Sequence, residues 1–161
     1  MPTLQELESR TVSADRSAFN PQYGYKVTKV GAIASAPDML FDVTGLCEIT
    51  RMVGKVSVVV GTSTSMSINS STNDMVISAS TQITTAAVDT VYIVSGDLGL
   101  GFNAGGAKSV DGAVLDVGTV APFYMINDAI EQNVNTAGTG TIDWVLYYWP
   151  LEKNAVVTAA A

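Results

Sequence analysis

Thr141-Ile142-Asp143-Trp144-Val145-Leu146-Tyr147-Tyr148-Trp149-Pro150 is the stretch that decides the fold. Successive side chains of a strand point to opposite faces, so Ile142, Trp144, Leu146 and Tyr148 go one way and Val145, Tyr147 and Trp149 the other. β-branched and aromatic residues fill the run, and Pro150, with no N–H to give a ladder, ends it. Both faces are apolar. One suits a core and the other a neighbouring surface.

The same signal recurs upstream. Asn135-Thr136-Ala137-Gly138-Thr139-Gly140 reads as a turn, and Ile130–Val134, Val120–Met125 and Ala113–Val117 as strands, the last two parted by Gly118. Residues 96–112 form a glycine-rich connection, preceded by a strong strand over Ala87–Ser95. Met75–Ser80 and Gln82–Thr85 are short strands after the turn cluster Ser70-Ser71-Thr72-Asn73-Asp74. Thr64–Asn69 sets Met66 and Ile68 on one face against Ser65 and Ser67 on the other. Leu46–Val60 is the longest β-rich stretch. Gly54 within it marks a bend, a bulge, or the break between two strands. Met39–Val43 is a short apolar run ended by Thr44-Gly45, and Val27, Val30 and Ile33 lie in Lys26–Ala34.

About eight to ten short strands with turns at regular spacing, and almost no helical periodicity, define an all-β chain. The architecture expected is a β-sandwich, jelly-roll or Greek-key-like, carrying an extended N-terminal arm. Residues 1–24 make the arm, with Thr3 and Glu6 as a capping box for a short helix over Leu4–Ser9. Residues 25–151 make the β domain and 152–161 a C-terminal tail. The arm is either a frayed terminus or a grip on a neighbouring subunit, with Phe19, Tyr23 and Tyr25 as its apolar anchors.

Of the 161 residues, 47% are apolar and only 14% charged, against roughly a quarter charged in ordinary domains. An obligate oligomer shows this composition because interfaces bury part of its outside, although a well-packed neutral monomer resembles it. The net charge is −7 and the eight cations are scattered, so no basic stripe is available to neutralise a nucleic-acid backbone. The N-terminus lacks a basic region followed by an apolar stretch, and no segment reaches the ~20 apolar residues of a membrane span. Neither export nor a membrane partner is expected.

The chain holds no histidine, which excludes Ser-His-Asp and Cys-His nucleophilic systems and every histidine-based zinc site. Cys47, the single cysteine, sits in the apolar run Leu46-Cys47-Glu48-Ile49 and reads as a buried, inert thiol. Catalysis would rest on carboxylates, and no spacing singles out a facing pair. Asp97, Asp111 and Asp116 flank the glycine-rich loop without the spacing of a calcium motif. The loop itself lacks the Gly-Lys-Ser/Thr ending and the following helix of a phosphate site. No cofactor is expected. Leu98, Leu100 and Phe102 are apolar for a solvated loop, and together with Tyr147 and Trp149 they complete the candidate interface residues.

Gly138-Thr139-Gly140-Thr141-Ile142-Asp143-Trp144-Val145-Leu146-Tyr147-Tyr148-Trp149-Pro150-Leu151 is the most distinctive segment. With Phe41-Asp42-Val43-Thr44-Gly45, Val58-Val59-Val60-Gly61-Thr62 and Val91-Tyr92-Ile93-Val94-Ser95-Gly96-Asp97 it resembles small all-β virion proteins of tailed bacteriophages. The resemblance runs over residues 39–151 and leaves the arm outside. It implies a non-enzymatic decoration, or cement, protein that is made in the host cytoplasm and carried on the virion. Such a protein binds the outside of the lattice formed by the major capsid protein, as a homo-oligomer, a trimer before a dimer. Three other readings stand beside it: a tail, neck or fibre component; a carbohydrate-binding adhesin using Trp144, Trp149 and the glycine-rich loop; and, last, a carboxylate-dependent hydrolase.

Overall fold

A computed structural model describes residues 19–20, 23–34, 37–61, 64–73, 75–94 and 122–161. The expected helix over Leu4–Ser9, the glycine-rich connection and the strand over Ala113–Val117 lie outside the described residues. Among the described residues there are nine strands and no helix: β1 (Phe19–Asn20), β2 (Gly24–Ala32), β3 (Asp38–Val58), β4 (Ser65–Ser70), β5 (Val76–Gln82), β6 (Val91–Val94), β7 (Phe123–Val134), β8 (Thr141–Pro150) and β9 (Val156–Ala159). The all-β class is therefore shown. All the strands join one open antiparallel sheet in the order β1-β2-β8-β3-β7-β4-β5, with β6 and β9 also on β3.

The 21-residue β3 organises everything. Along one edge its first half pairs with β9 (Phe41↔Ala159 to Thr44↔Val156) and its second half with β8 (Cys47↔Pro150 to Val58↔Thr141). Along the other edge its first half pairs with β7 (Asp38↔Gln132 to Ile49↔Phe123) and its second with β6 (Met52↔Val94 to Lys55↔Val91). β8 and β9 are thus one interrupted edge, parted by residues 151–155, where Leu151 N–H donates to the Leu46 carbonyl at 2.9 Å. Residues 156–159, placed in a tail by the sequence, form a paired strand instead.

The run read as ending at Thr44-Gly45 does not end there. β3 continues through a bulge that sets Thr44 and Gly45 against the single residue Asn127 of β7. Gly45 (φ 68°) and Asn127 (φ 46°) both take left-handed backbone there, and Asn127 Oδ1 accepts the Gly45 N–H at 2.8 Å. A bulge of this kind bends a strand and increases its twist. Gly54, by contrast, sits in regular register between Tyr92 and Trp144.

The inward residues of the two halves meet in one core that includes Leu40, Phe41, Ile49, Met52, Ile130, Ile142, Trp144 and Leu146. A hydrogen bond from Trp144 Nε1 to Gln132 Oε1 at 2.8 Å ties β8 to β7 through it, and Gln132 Nε2 donates to the Ala32 carbonyl at 2.8 Å. Both side chains are fully buried, so each polar atom needs the other.

Candidate interaction surface

β8 alternates as read: Ile142, Trp144, Leu146 and Tyr148 are buried and Val145, Tyr147 and Trp149 only half so. Register carries that outward face across the sheet. Tyr147 lies between Lys26 and Arg51, Val145 between Thr28 and Val53, and Asp143 between Val30 and Lys55. Tyr23 closes over this face, its ring centroid 5.6 Å from that of Tyr147, with the Arg51 guanidinium 5.4 Å above its own ring. The arrangement is an aromatic pair capped by a cation.

The candidate interface residues therefore separate. Tyr23, Tyr147 and Trp149 come together on the outward side. Tyr25 turns inward, packed against the core beside Tyr148 with ring centroids 5.7 Å apart. Phe19 pairs with Tyr25 in backbone register. Leu98, Leu100 and Phe102 lie outside the described residues.

A second outward cluster is the more exposed. Around the β3 bulge, register places Ile126 against Leu46 and Tyr124 against Glu48, while Trp149 lies on the other side of Glu48. Leu151, bonded to Leu46, completes the row, and Val156 lies opposite Thr44. Tyr124 is 59% exposed, Ile126 56%, Leu151 48% and Val156 37%, so four large apolar side chains face solvent side by side. Farther along β7 the outward face turns polar, where Glu131 and Asn133 lie against Asn69 and Ser67 of β4. The apolar patch is thus local to the bulge. Sequence reading missed it, although the signal was the one used on β8: Phe123 and Met125 alternate with Tyr124 and Ile126, and both faces are apolar.

A buried carboxylate organises one turn. Asp128 accepts hydrogen bonds from Ser70 Oγ (2.6 Å), Thr72 N–H (2.9 Å), Asn73 Nδ2 (2.7 Å) and Ala129 N–H (2.7 Å), which fixes the β4–β5 turn. Burial acts to raise its pKa, but the donors outweigh it and hold the carboxyl well below the usual range. Burial pushes the Cys47 thiol up to about 11, helped by the Glu152 carboxylate, so at neutral pH it is a protonated, sequestered thiol. Tyr124 donates to Glu48 Oε1 at 3.2 Å, and that bond, with the neighbouring negative charge, raises the phenol's pKa. Among the described residues no group of three His, Cys, Asp or Glu side chains could hold a metal ion. Asp97, Asp111 and Asp116 are outside them.

Fold and surface define an all-β chain with one open sheet and a bare apolar patch on its outward face. The chain matches no family model, no curated protein and no solved structure.

Proposed function

We propose that this chain is a non-enzymatic structural protein that acts by assembly, as a decoration or cement protein on the outside of a tailed-bacteriophage head. The observation that carries the reading is the exposed cluster of Tyr124, Ile126, Leu151 and Val156 on a chain with only 14% charged residues. Contiguous apolar surface of this kind marks a place where another protein sits. The resemblance of residues 39–151 to small virion proteins supplies the virion, with the major capsid protein as the larger partner and a homo-oligomer as the working form. Such a protein binds the closed shell and not the open one, so each occupied site adds its binding free energy to the shell's stability, and many copies multiply the effect.

Copy number tests the reading. A decoration protein is present in hundreds of copies per particle, whereas a neck component of the same virion is present in about a dozen, as symmetry requires. A polypeptide that stays a lone monomer and binds neither shell nor sister copies overturns the proposal. The carbohydrate reading loses Trp144, whose indole is fully buried and tied to Gln132, and keeps the half-buried Trp149, while its glycine-rich loop lies outside the described residues.

A further inference from the structure

Two exposed apolar clusters lie at opposite ends of the long β3 strand. Val58 and Val59 mark its C-terminal end, with Val88 alongside, where the 86–90 segment runs beside β3 through Val60 N–H to the Ala86 carbonyl (3.1 Å) and Asp89 N–H to the Val56 carbonyl (2.9 Å). Leu46, Tyr124, Ile126, Leu151 and Val156 surround the bulge twelve residues earlier, at most roughly 40 Å along extended backbone. The two ends differ in their charged surroundings. At the valine end the cation is already taken, since Lys55 Nζ lies 3.1 Å from Asp89 Oδ1. At the bulge end both signs are present on one surface. Glu48 sits between Tyr124 and Trp149, and the exposed Glu152 and Lys153 lie in the link between Leu151 and Val156, Lys153 with no ion pair among the described residues.

We infer that the bulge patch is the contact between two copies of this chain, related by a two-fold axis. The inference rests on the assembly reading above and names the occupant of its surface. A two-fold contact brings a patch onto itself, so the patch must complement itself: each apolar side chain meets another, and each charge meets its opposite only if both signs lie on the same patch. The bulge patch meets that condition, with Glu48 of one copy available to Lys153 of the other. Area sets how much of the rim must join. The exposed fractions of Tyr124, Ile126, Leu151 and Val156 amount to roughly 400 Å² per copy, so two such faces bury about 800 Å², and the surrounding polar rim has to carry the contact past the ~1,000 Å² that a specific interface needs. A trimer, by contrast, needs two different surfaces that fit each other, so the two-fold contact commits to the dimer among the oligomers the virion resemblance implies.

Sedimentation equilibrium of the full chain tests this, with circular dichroism to show that each variant is folded. The wild type is expected to be a dimer. Ile126→Lys and Tyr124→Ser, both at exposed positions, are expected to yield monomers with wild-type spectra. Lys153→Glu, which leaves the rim wholly acidic, is expected to weaken association about tenfold. Val58→Lys is expected to leave the dimer intact. A wild type that stays monomeric, a dimer indifferent to Ile126→Lys, or an assembly broken equally by Val58→Lys and Ile126→Lys overturns the two-fold contact. The last result means a head-to-tail ring and leaves the assembly reading standing, which the copy number in particles tests separately.

Discussion

A Cβ on Gly54 would lie 2.6 Å from Cζ3 and 2.8 Å from Cε3 of Trp144, and 2.8 Å from Cγ2 of Ile142. The indole therefore lies over the bare α-carbon of its cross-strand partner, and glycine is present for space, with ordinary extended backbone. Because Trp144 is held by Gln132 on its other side, it has nowhere to retreat. Gly54→Ala is expected to cost about 1–3 kcal/mol, read as a lower urea midpoint with an unchanged slope. An unchanged midpoint would show that the indole can shift freely. Asp128 gives the second prediction at this scale. Its folded-state pKa is held below the ordinary 3.8, so its contribution is fully present above that value and is lost as the pH falls through the folded pKa. Asp128→Asn is expected to cost about 1–3 kcal/mol at pH 7, and the gap to wild type should narrow below pH ~4. A gap that is constant with pH would mean that packing, not charge, holds the β4–β5 turn.

At the scale of elements, β3 matters most because four strands, β6, β7, β8 and β9, pair directly along its two edges. Its bulge is locked by three groups: Gly45 in left-handed backbone, Asn127 accepting from it, and Glu152 Oε1 accepting the Leu46 N–H at 2.6 Å. Glu152 belongs to the link between β8 and β9, so the C-terminal segment helps to hold the bend as well as pairing beside it. Val157 and Ala155 are buried, and Ala160 N–H donates to the Leu40 carbonyl at 3.1 Å. Removal of residues 152–161 is therefore expected to cost about 3 kcal/mol or more, seen as a fall in Tm. A truncated chain as stable as the whole would reduce β9 to a decoration of the sheet.

For the whole molecule, the single core implies cooperative unfolding, and Cys47 is placed to report it. The thiol is fully buried on β3, between β7 and β8, and its pKa of about 11 leaves little thiolate at neutral pH. Reaction with a thiol reagent is expected to follow the global unfolding equilibrium, rising with urea in parallel with the loss of tryptophan burial. Fast labelling of the native protein would show that the edge between β8 and β9 opens locally.

Much of this was legible in the sequence, because alternation is a property of neighbours along the chain. The two-sided apolar pattern of Thr141–Trp149 gave the β class and the inward set Ile142, Trp144, Leu146 and Tyr148, and the apolar run Leu46-Cys47-Glu48-Ile49 gave the buried Cys47. Other features depend on residues distant in sequence. Thr44-Gly45 looks like a strand end until Asn127 and Glu152 are seen to satisfy its backbone. Gly54 looks like a break until Trp144 is seen to occupy the space above it. Tyr25 and Tyr23 look alike in the arm, and only register sends one inward and the other outward. Likewise Tyr124 and Ile126 alternate as plainly as Tyr147 and Trp149, yet which outward face stays bare is set by the strands that lie beside it. Periodicity fixes which side chains share a face; only tertiary packing decides what covers that face.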